Sequence, residues 1–355
     1  EITVRDWSSD VCSSDLIDVE SDPQATTDFI GRVLADTGWV VHAASTDLPY
    51  LEQLRLRPPQ LFDTELAGRF LGFHRVNLAA MVEHYLGVRL RKNHGGEDWS
   101  RRPIPSGWLD YAALDVEYLL PLADAMRSEL TQQHPKDEWV TEECDYLTRV
   151  YRGYSPTPKS WEDLKGVHGL RTSKQLQVAR WLWRVREKLA RASDTAVSRL
   201  LPDKALVALA TELPTTVPKV MMTPGYPPRL RRKARYWANQ VDKALRTAQD
   251  RWPEPFLIPT YRDTPPSRYT WSRYYPESFP KLTMVREELA RVAAQVEIPV
   301  ENMIQSSDTN EIVWRSQELK EVTDDTELLA LLQRLQIRPW QQKLCLPIFT
   351  SILLP

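Results

Sequence analysis

The chain has 355 residues, of which 42% are hydrophobic and 26% are charged, and its formal net charge at pH 7 is −2. This length exceeds what one hydrophobic core usually organises, so we expect two or three domains. No apolar run approaches the roughly 20 residues that cross a bilayer, and no basic start leads into an apolar signal region. We therefore expect a cytoplasmic monomer that has no membrane partner and keeps its three cysteines reduced.

The first 16 residues, EITVRDWSSDVCSSDL, differ in character from the rest of the chain. They are rich in Ser and Asp and show no sustained period. The string RDWSSDVCSSDL resembles translated sequencing-adapter read-through, so we interpret residues 1–16 as a non-native leader and leave them out of the fold prediction. A natural disordered leader is the alternative.

Residues 17–150 alternate between short apolar runs and amphipathic segments. Strands are predicted at 16–19, 39–44 and 61–62, and helices at 26–35, from 48 to 54, from 66 onward, at 78–86 and at 108–130. Strands that alternate with helices are typical of an α/β layer with partly parallel pairing.

From residue 156 the pattern becomes helical. A short helix and turn at 161–170, a long amphipathic helix from Ser173, and helices at 203–212 and 230–247 predict a compact bundle over 156–250. Residues 251–280 contain seven prolines and eight aromatic residues, which predicts a linker without regular elements that packs against the domains. A last helical unit is predicted over 281–355, with helices at 282–296, 327–335 and 339–354.

Charge is segregated along the chain. Residues 1–150 carry 14 basic and 26 acidic side chains, whereas residues 151–250 carry 20 basic and 8 acidic ones. A basic block beside an acidic one is typical of a nucleic-acid-binding module joined to a metal-binding module. A solvated helical surface that happens to be basic is the alternative.

Two strings contain the residues that indicate chemistry, HAASTDLPYL at 42–51 and YAALDVEYLL at 111–120. Each places an acidic residue, Asp47 or Asp115, just after an apolar stretch, and Tyr111 lies four residues before Asp115 on the same helix face. Carboxylates that hold divalent metals, with a Tyr that orients a water, are parts of a phosphodiester-cleaving site. A helix cap is the alternative role for Asp47, and we interpret Asp63 as a helix cap.

Taken in order, HAASTDLPYL, LFDTELAGRFLG, LAAMVEHYLGVRLRK, DWSRRPI and YAALDVEYLL resemble the ribonuclease D family of DEDD 3′–5′ exonucleases, in the subtype with a Tyr in its last motif. WEDLKGVHGL and the helix ending in WRVREKLA resemble an HRDC domain, and residues 281–355, which contain RPWQQKL, resemble a second HRDC-like unit. The resemblance implies an N-terminally truncated α/β RNase H-like exonuclease domain over 17–150, followed by two all-α HRDC-type helical domains.

In that family four carboxylates bind two divalent metal ions, Mg²⁺ or Mn²⁺. The resemblance implies that Asp115 is a ligand of the first metal and that Asp47 contacts the second metal through a water. It gives Tyr111 the role of orienting the attacking water, because an ordinary pKa near 10 makes Tyr a poor base. The implied substrates are RNA 3′ ends, including structured precursors such as tRNA.

The family's first motif, Asp-x-Glu, supplies the other two carboxylates. Asp18 and Glu20 have this spacing, but Asp18 lies only 29 residues before Asp47, which leaves too little chain for the two intervening strands. We therefore interpret Asp18 and Glu20 as surface groups at a strand end. On this interpretation the leader stands where the true motif would be. We therefore expect the chain to be inactive and its exonuclease domain to be poorly folded.

Three sets of basic side chains are expected to contact RNA phosphates, without sequence preference and with strong salt dependence. They are Lys92, Arg101 and Arg102 at the mouth of the cleft; Arg180, Arg184 and Lys188 along one helix face, with Arg186 on the same surface; and the cluster Arg231, Arg232 and Lys233. Ordinary solvated charge is the alternative for the first set.

The sequence thus predicts a two-metal 3′–5′ exoribonuclease. Dispersed histidines argue against zinc chemistry, and the lack of a Gly-rich phosphate loop argues against an NTPase. Two alternatives stay open at this point. One is a non-catalytic nucleic-acid-binding HRDC protein on a degenerate nuclease remnant, and the other is a DNA-directed proofreading-type exonuclease.

Overall fold

The computed structural model describes residues 16–17, 22–90, 96–256 and 263–354. The chain divides into two compact units. The first comprises Glu1–Pro156 together with Arg262–Pro355, and the second comprises Thr157–Tyr261. Within the described ranges, no helix is long and apolar enough to cross a membrane.

The first part of unit 1 alternates strands with helices, as predicted. Its elements are α1 Pro23–Leu34, β1 Trp39–Val41, α2 Ala44–Gln53, β2 Leu61–Asp63, α3 Thr64–Phe70, α4 Leu78–Leu86, α5 Ser106–Glu117, α6 Leu119–Gln132 and α7 Lys136–Tyr151. Strands β1 and β2 pair in parallel, with Trp39 opposite Leu61 and Val41 opposite Asp63. The carboxyl ends of both strands therefore meet at one edge of this two-stranded sheet.

The strand predicted at 16–19 is not seen at residues 16–17, and residues 18–19 lie outside the described residues. Strand β1 ends at Val41 rather than at residue 44. Three details of the helices also differ from the prediction. The helix expected over 108–130 is two helices, because α5 ends before Tyr118 and Pro121 lies in the first turn of α6, where its missing N–H costs no hydrogen bond. Helix α7 was not predicted. Helix α2 begins at Ala44 rather than Leu48, which places Asp47 inside its first turn.

Unit 2 is all-helical over its described residues. Its elements are α8 Ser173–Ala192, α9 Val197–Leu200, α10 Asp203–Glu212, α11 Val217–Met222 and α12 Ala234–Leu245. The 161–170 segment forms two 3₁₀ turns. Helix α8 begins with a capping box in which the Thr172 and Gln175 side chains accept each other's backbone N–H. Fully buried Trp237 and Leu182 belong to a hydrophobic core that lies wholly within this unit.

The remainder of unit 1 is also helical. It consists of α13 Arg268–Tyr274, α14 Ser278–Gln295, α15 Val300–Met303, α16 Ser306–Gln317, α17 Asp325–Arg334 and α18 Pro339–Leu353. The expectation of a linker without regular elements over 251–280 was wrong, because α13 lies within it. Ser267 caps this helix, and the neighbouring prolines lie before the cap or after its end, where they break no helical hydrogen bond.

One hydrophobic core joins the two parts of unit 1. Phe70 and Leu122 from the first part belong to the same buried cluster as Trp271, Trp314 and Trp340 from the second. The sequence-based division placed 281–355 in a domain of its own. In the structure these helices share a core with the strand-containing part, so the two segments form one compact unit.

Candidate active site

The buried carboxylate of Asp63 organises the edge where the two strands end. It lies at the end of β2, is only 3% exposed, and accepts four backbone N–H groups. These come from Ala43 at 3.0 Å, Ala44 at 2.8 Å, Glu65 at 2.9 Å and Leu66 at 3.3 Å. Asp63 is thus the N-cap of α3, as predicted, and also holds the backbone that opens α2.

His42 follows β1 directly and lies next to the predicted site carboxylates. Its Nδ1 lies 2.9 Å from Oγ1 of Thr64 at the start of α3. Burial lowers the pKa of His42. Four nearby carboxylates oppose that shift, in the order Asp63, Glu65, Asp115 and Asp47. Asp47 and Asp115 thus both favour the charged form of this imidazole, although 68 positions separate them in the sequence.

Asp47 and Asp115 are exposed carboxylates with similar surroundings. Desolvation by neighbouring protein atoms raises the pKa of both, and a hydrogen bond from a neighbouring hydroxyl opposes the rise. That hydroxyl belongs to Thr46 for Asp47 and to Tyr111 for Asp115. Asp47 is not the cap of α2, because Ala43 occupies that position.

Tyr111 and Asp115 lie on one face of α5, as their spacing predicted. The phenol donates a hydrogen bond to the carboxylate, and burial together with this negative charge raises the pKa of Tyr111. The ring centroid of Tyr111 lies 6.3 Å from that of Trp99, which in turn lies 5.4 Å from Trp108. A protonated phenol fixed in this way can orient a water but cannot remove its proton at neutral pH.

The carboxylates of the described residues do not by themselves fit a two-metal site. Within the described ranges, no group of three or more His, Cys, Asp or Glu side chains is arranged to hold a metal ion. Asp47 and Asp115 supply hard oxygen donors of the kind that Mg²⁺ and Mn²⁺ prefer, but two metals need more of them. Asp18 and Glu20 lie outside the described residues, so their predicted surface role stays a prediction.

The predicted RNA-contacting side chains have different surroundings. Arg184, Lys188, Arg231, Arg232 and Lys233 are exposed, as are Arg101 and Arg102, while Lys92 lies outside the described residues. Arg180 is half-buried, and its guanidinium donates to Oε1 of Gln177 and to the carbonyl oxygen of Arg251.

Arg186 was wrongly expected on the positive surface of unit 2. Its side chain is 3% exposed and donates to the carbonyl oxygen of Leu201 and to carboxylates of Asp203 and Glu187. It lies on the face of α8 that packs into the bundle, two positions from exposed Arg184. The guanidinium therefore stabilises the fold and cannot reach a ligand at the surface.

Asp47, Tyr111 and Asp115 stay predicted site residues, and sequence reasoning made no prediction for His42. The available signal was its position directly after a buried strand, at the edge where parallel strands end. Its contact with Thr64 depends on how β1 and β2 pair, which the sequence does not specify on its own.

Comparisons with known proteins agree with this arrangement. A family model described as 3′–5′ exonuclease matches residues 8–131, and one described as 3′ to 5′ exonuclease C-terminal domain matches residues 264–353. A model of the HRDC domain matches residues 175–236. The exonuclease and HRDC parts of the fold prediction are thereby confirmed, while a second HRDC domain over 281–355 stays a prediction.

Curated relatives and a solved structure are similar to the chain over different lengths. Ribonuclease D of Nitrobacter hamburgensis is 33% identical over 179 residues, which cover 50% of this chain and 46% of the relative. Protein RRP6-like 1 of Arabidopsis thaliana is 32% identical over 191 residues, which cover 50% of this chain and 30% of the relative. The chain thus spans less than half of either relative.

The crystal structure of a Bifidobacterium adolescentis protein superposes with a TM-score of 0.76 at 30% identity, and it covers 92% of this chain and 80% of that one. The order of the matched models, the named relatives and the placement of Asp47, Tyr111 and Asp115 lead to one conclusion. This chain belongs to the ribonuclease D family of 3′–5′ exonucleases that carry an HRDC domain.

Proposed function

We propose that this protein is a ribonuclease D-type 3′–5′ exoribonuclease that works on the 3′ ends of structured RNA precursors such as tRNA. The observation that carries the proposal is the match of residues 8–131 to a 3′–5′ exonuclease model, in a region where Tyr111 and Asp115 lie on one face of α5. Asp47 and Asp115 are exposed, which suits substrate and metal access, and the phenol donates to the Asp115 carboxylate, where it can orient a water. Catalysis would require Mg²⁺ or Mn²⁺ and the Asp-x-Glu pair in addition to these residues.

The 355-residue chain itself is proposed to bind RNA without hydrolysing it. Its described residues offer two carboxylates where the family mechanism uses four, and a partial ligand set binds a divalent ion weakly. The basic cluster of Arg231, Arg232 and Lys233 in unit 2 is exposed and supplies three charges for phosphate contacts. The proposed site of action is the cytoplasm and the proposed state is a monomer.

Binding and hydrolysis are tested together on a 3′-labelled single-stranded RNA. We expect the chain to bind the RNA and to release no mononucleotide in the presence of Mn²⁺. Replacement of Arg231, Arg232 and Lys233 by Ala should weaken binding and reduce the slope of log affinity against log salt by about 0.7 for each phosphate that the variant no longer neutralises. Affinity is measured by fluorescence anisotropy between 50 and 200 mM salt.

Arg291→Ala provides the matched control, because Arg291 is an exposed arginine of unit 1 that pairs with Glu288. This variant should leave the salt slope unchanged. Release of mononucleotides by the unmodified chain would contradict the proposed inactivity. An unchanged salt slope in the triple variant would show that the basic cluster does not contact RNA phosphates.

A non-catalytic RNA-binding role for the natural protein is the second candidate. It is favoured by the same partial carboxylate set. A DNA-directed exonuclease is the third candidate, and matched RNA and DNA oligomers in the binding assay separate it from the first two.

A further inference from the structure

Helix α13 is a short, rigid element in the Pro-rich segment of unit 1. Its Trp271 is 1% exposed, and the indole Nε1 donates to Oγ of Ser278 at 2.8 Å. The Trp271 ring meets Trp314 edge to face, with the centroids 5.2 Å apart. Trp271 therefore anchors α13 in the core, which holds the helix and its exposed side chains in place.

Two exposed tyrosine rings belong to this helix. Tyr269 is 68% exposed and Tyr274 is 63% exposed. Arg273 lies between them: its Nη1 donates to the Tyr269 hydroxyl at 2.7 Å, and its guanidinium carbon lies 6.0 Å from the Tyr269 centroid and 5.6 Å from the Tyr274 centroid. The arginine limits the freedom of both rings, which lowers the entropy that a ligand must remove on binding.

The helix that carries the rings contains two arginines, Arg268 and Arg273, and no acidic residue. Exposed aromatic rings interleaved with guanidinium groups match a ligand that offers both flat apolar faces and negative charge.

We propose that Arg268, Tyr269, Arg273 and Tyr274 form a stacking platform for single-stranded RNA. Unpaired bases stack on the faces of the two phenol rings, and the guanidinium groups contact the adjoining phosphates. The inference rests on the proposed RNA-binding function and deepens it, because it adds a contact surface on unit 1 that selects unpaired bases. A duplex does not fit this surface, since its bases are already stacked on one another.

The test compares binding of a fluorescein-labelled 12-nucleotide oligouridine and of a 12-base-pair RNA duplex to the full chain, in EDTA. The double variant Tyr269→Ala/Tyr274→Ala should lose about fivefold or more in affinity for the oligouridine for each stacked base, and should bind the duplex as the unmodified chain does. The double variant Tyr269→Phe/Tyr274→Phe keeps both rings and should retain oligouridine affinity within about twofold.

The matched control is Tyr154→Ala, which removes an exposed tyrosine whose ring partner is Tyr151 rather than an arginine. It should not change oligouridine affinity. Unchanged affinity in the Ala double variant overturns the platform, and so does an equal loss for oligouridine and duplex, because a stacking surface discriminates between them. Loss in the Phe variant as large as in the Ala variant also overturns it.

Failure of the platform and failure of the basic cluster are distinguishable in the same assay. If the Ala double variant binds normally while the Arg231/Arg232/Lys233 triple variant does not, only the platform is wrong. If the triple variant binds normally while the Ala double variant does not, only the assignment of the basic cluster to RNA binding is wrong. If the Ala double variant binds RNA normally but loses a protein partner, the surface is a protein interface and the RNA assignment is wrong.

Discussion

Asp63 connects two helix starts through one buried carboxylate, and this makes it a sensitive residue. It accepts the N–H groups of Ala43 and Ala44 as well as those that begin α3. Ala43 adopts a left-handed backbone conformation, with φ of 62°, which a residue with a side chain rarely adopts without support. The carboxylate therefore helps to hold the turn from which His42 and Asp47 extend.

We expect Asp63→Asn to destabilise the protein by about 2 kcal/mol. An amide offers one acceptor oxygen, which can keep the three donors of Oδ1, but its NH₂ group would then face the Ala44 N–H, which now donates to Oδ2. That buried donor is left without its partner. The free energy of unfolding from urea titration measures the loss. Asp324→Asn is the matched control, because Asp324 is an exposed N-cap whose carboxylate accepts the Glu327 N–H, and Asn caps as well as Asp. A loss at position 63 no larger than at position 324 would contradict this account.

At the scale of elements, α18 is fixed to α7 by a buried polar cluster. Glu143 of α7 accepts from Nε and Nη2 of Arg338 and from the indole Nε1 of Trp340, the last at 2.8 Å. The Arg338 guanidinium also lies 4.4 Å from the ring centroid of Tyr146. Glu143 is 7% exposed, so these donors replace the water that its carboxylate gives up on burial.

Arg338→Ala should therefore cost about 2 kcal/mol of unfolding free energy, since it leaves Glu143 buried with one donor. Arg291→Ala breaks an arginine–glutamate pair whose side chains are 54% and 36% exposed, and should cost clearly less, because water screens an exposed ion pair. Chemical denaturation of both variants gives the comparison. If both variants lose the same free energy of unfolding, burial of the Arg338–Glu143 pair does not explain the contribution of Arg338 to stability.

The same elements explain how far the sequence alone could go. Helices at 78–86 and 203–212 were predicted with the bounds that the structure has, because their apolar residues recur at helical spacing. Helix α13 was missed because its prolines, read as a group, indicate a linker, although they flank the helix rather than interrupt it. Asp47, Tyr111 and Asp115 were recognisable from local strings, whereas the contacts of His42 and the burial of Arg186 depend on tertiary packing.

At the scale of the whole molecule, the two compact units differ in what completes their cores. The core of unit 2 draws on its own residues, including Leu176, Leu182 and Trp237. The core of unit 1 is built from two segments that are far apart in sequence. Phe70 of α3, for example, packs edge to face on Trp340 of α18, with centroids 5.2 Å apart.

This difference predicts opposite behaviour for two fragments. Residues 157–261 expressed alone should unfold in one cooperative transition, because their apolar side chains keep all their partners. Residues 1–156 expressed alone should bind the dye ANS and lack a cooperative transition, because Phe70 and its neighbours would be without the tryptophans that cover them. Circular dichroism and ANS fluorescence during heating measure both properties.

Addition of a 263–355 fragment to the 1–156 fragment should restore a cooperative transition, since the missing half of the core is then supplied in trans. The 157–261 fragment is the matched control and should restore nothing. A cooperative transition of residues 1–156 alone would mean that the strand-containing part has a sufficient core of its own, and that the helices after residue 263 are an added layer rather than half of the fold.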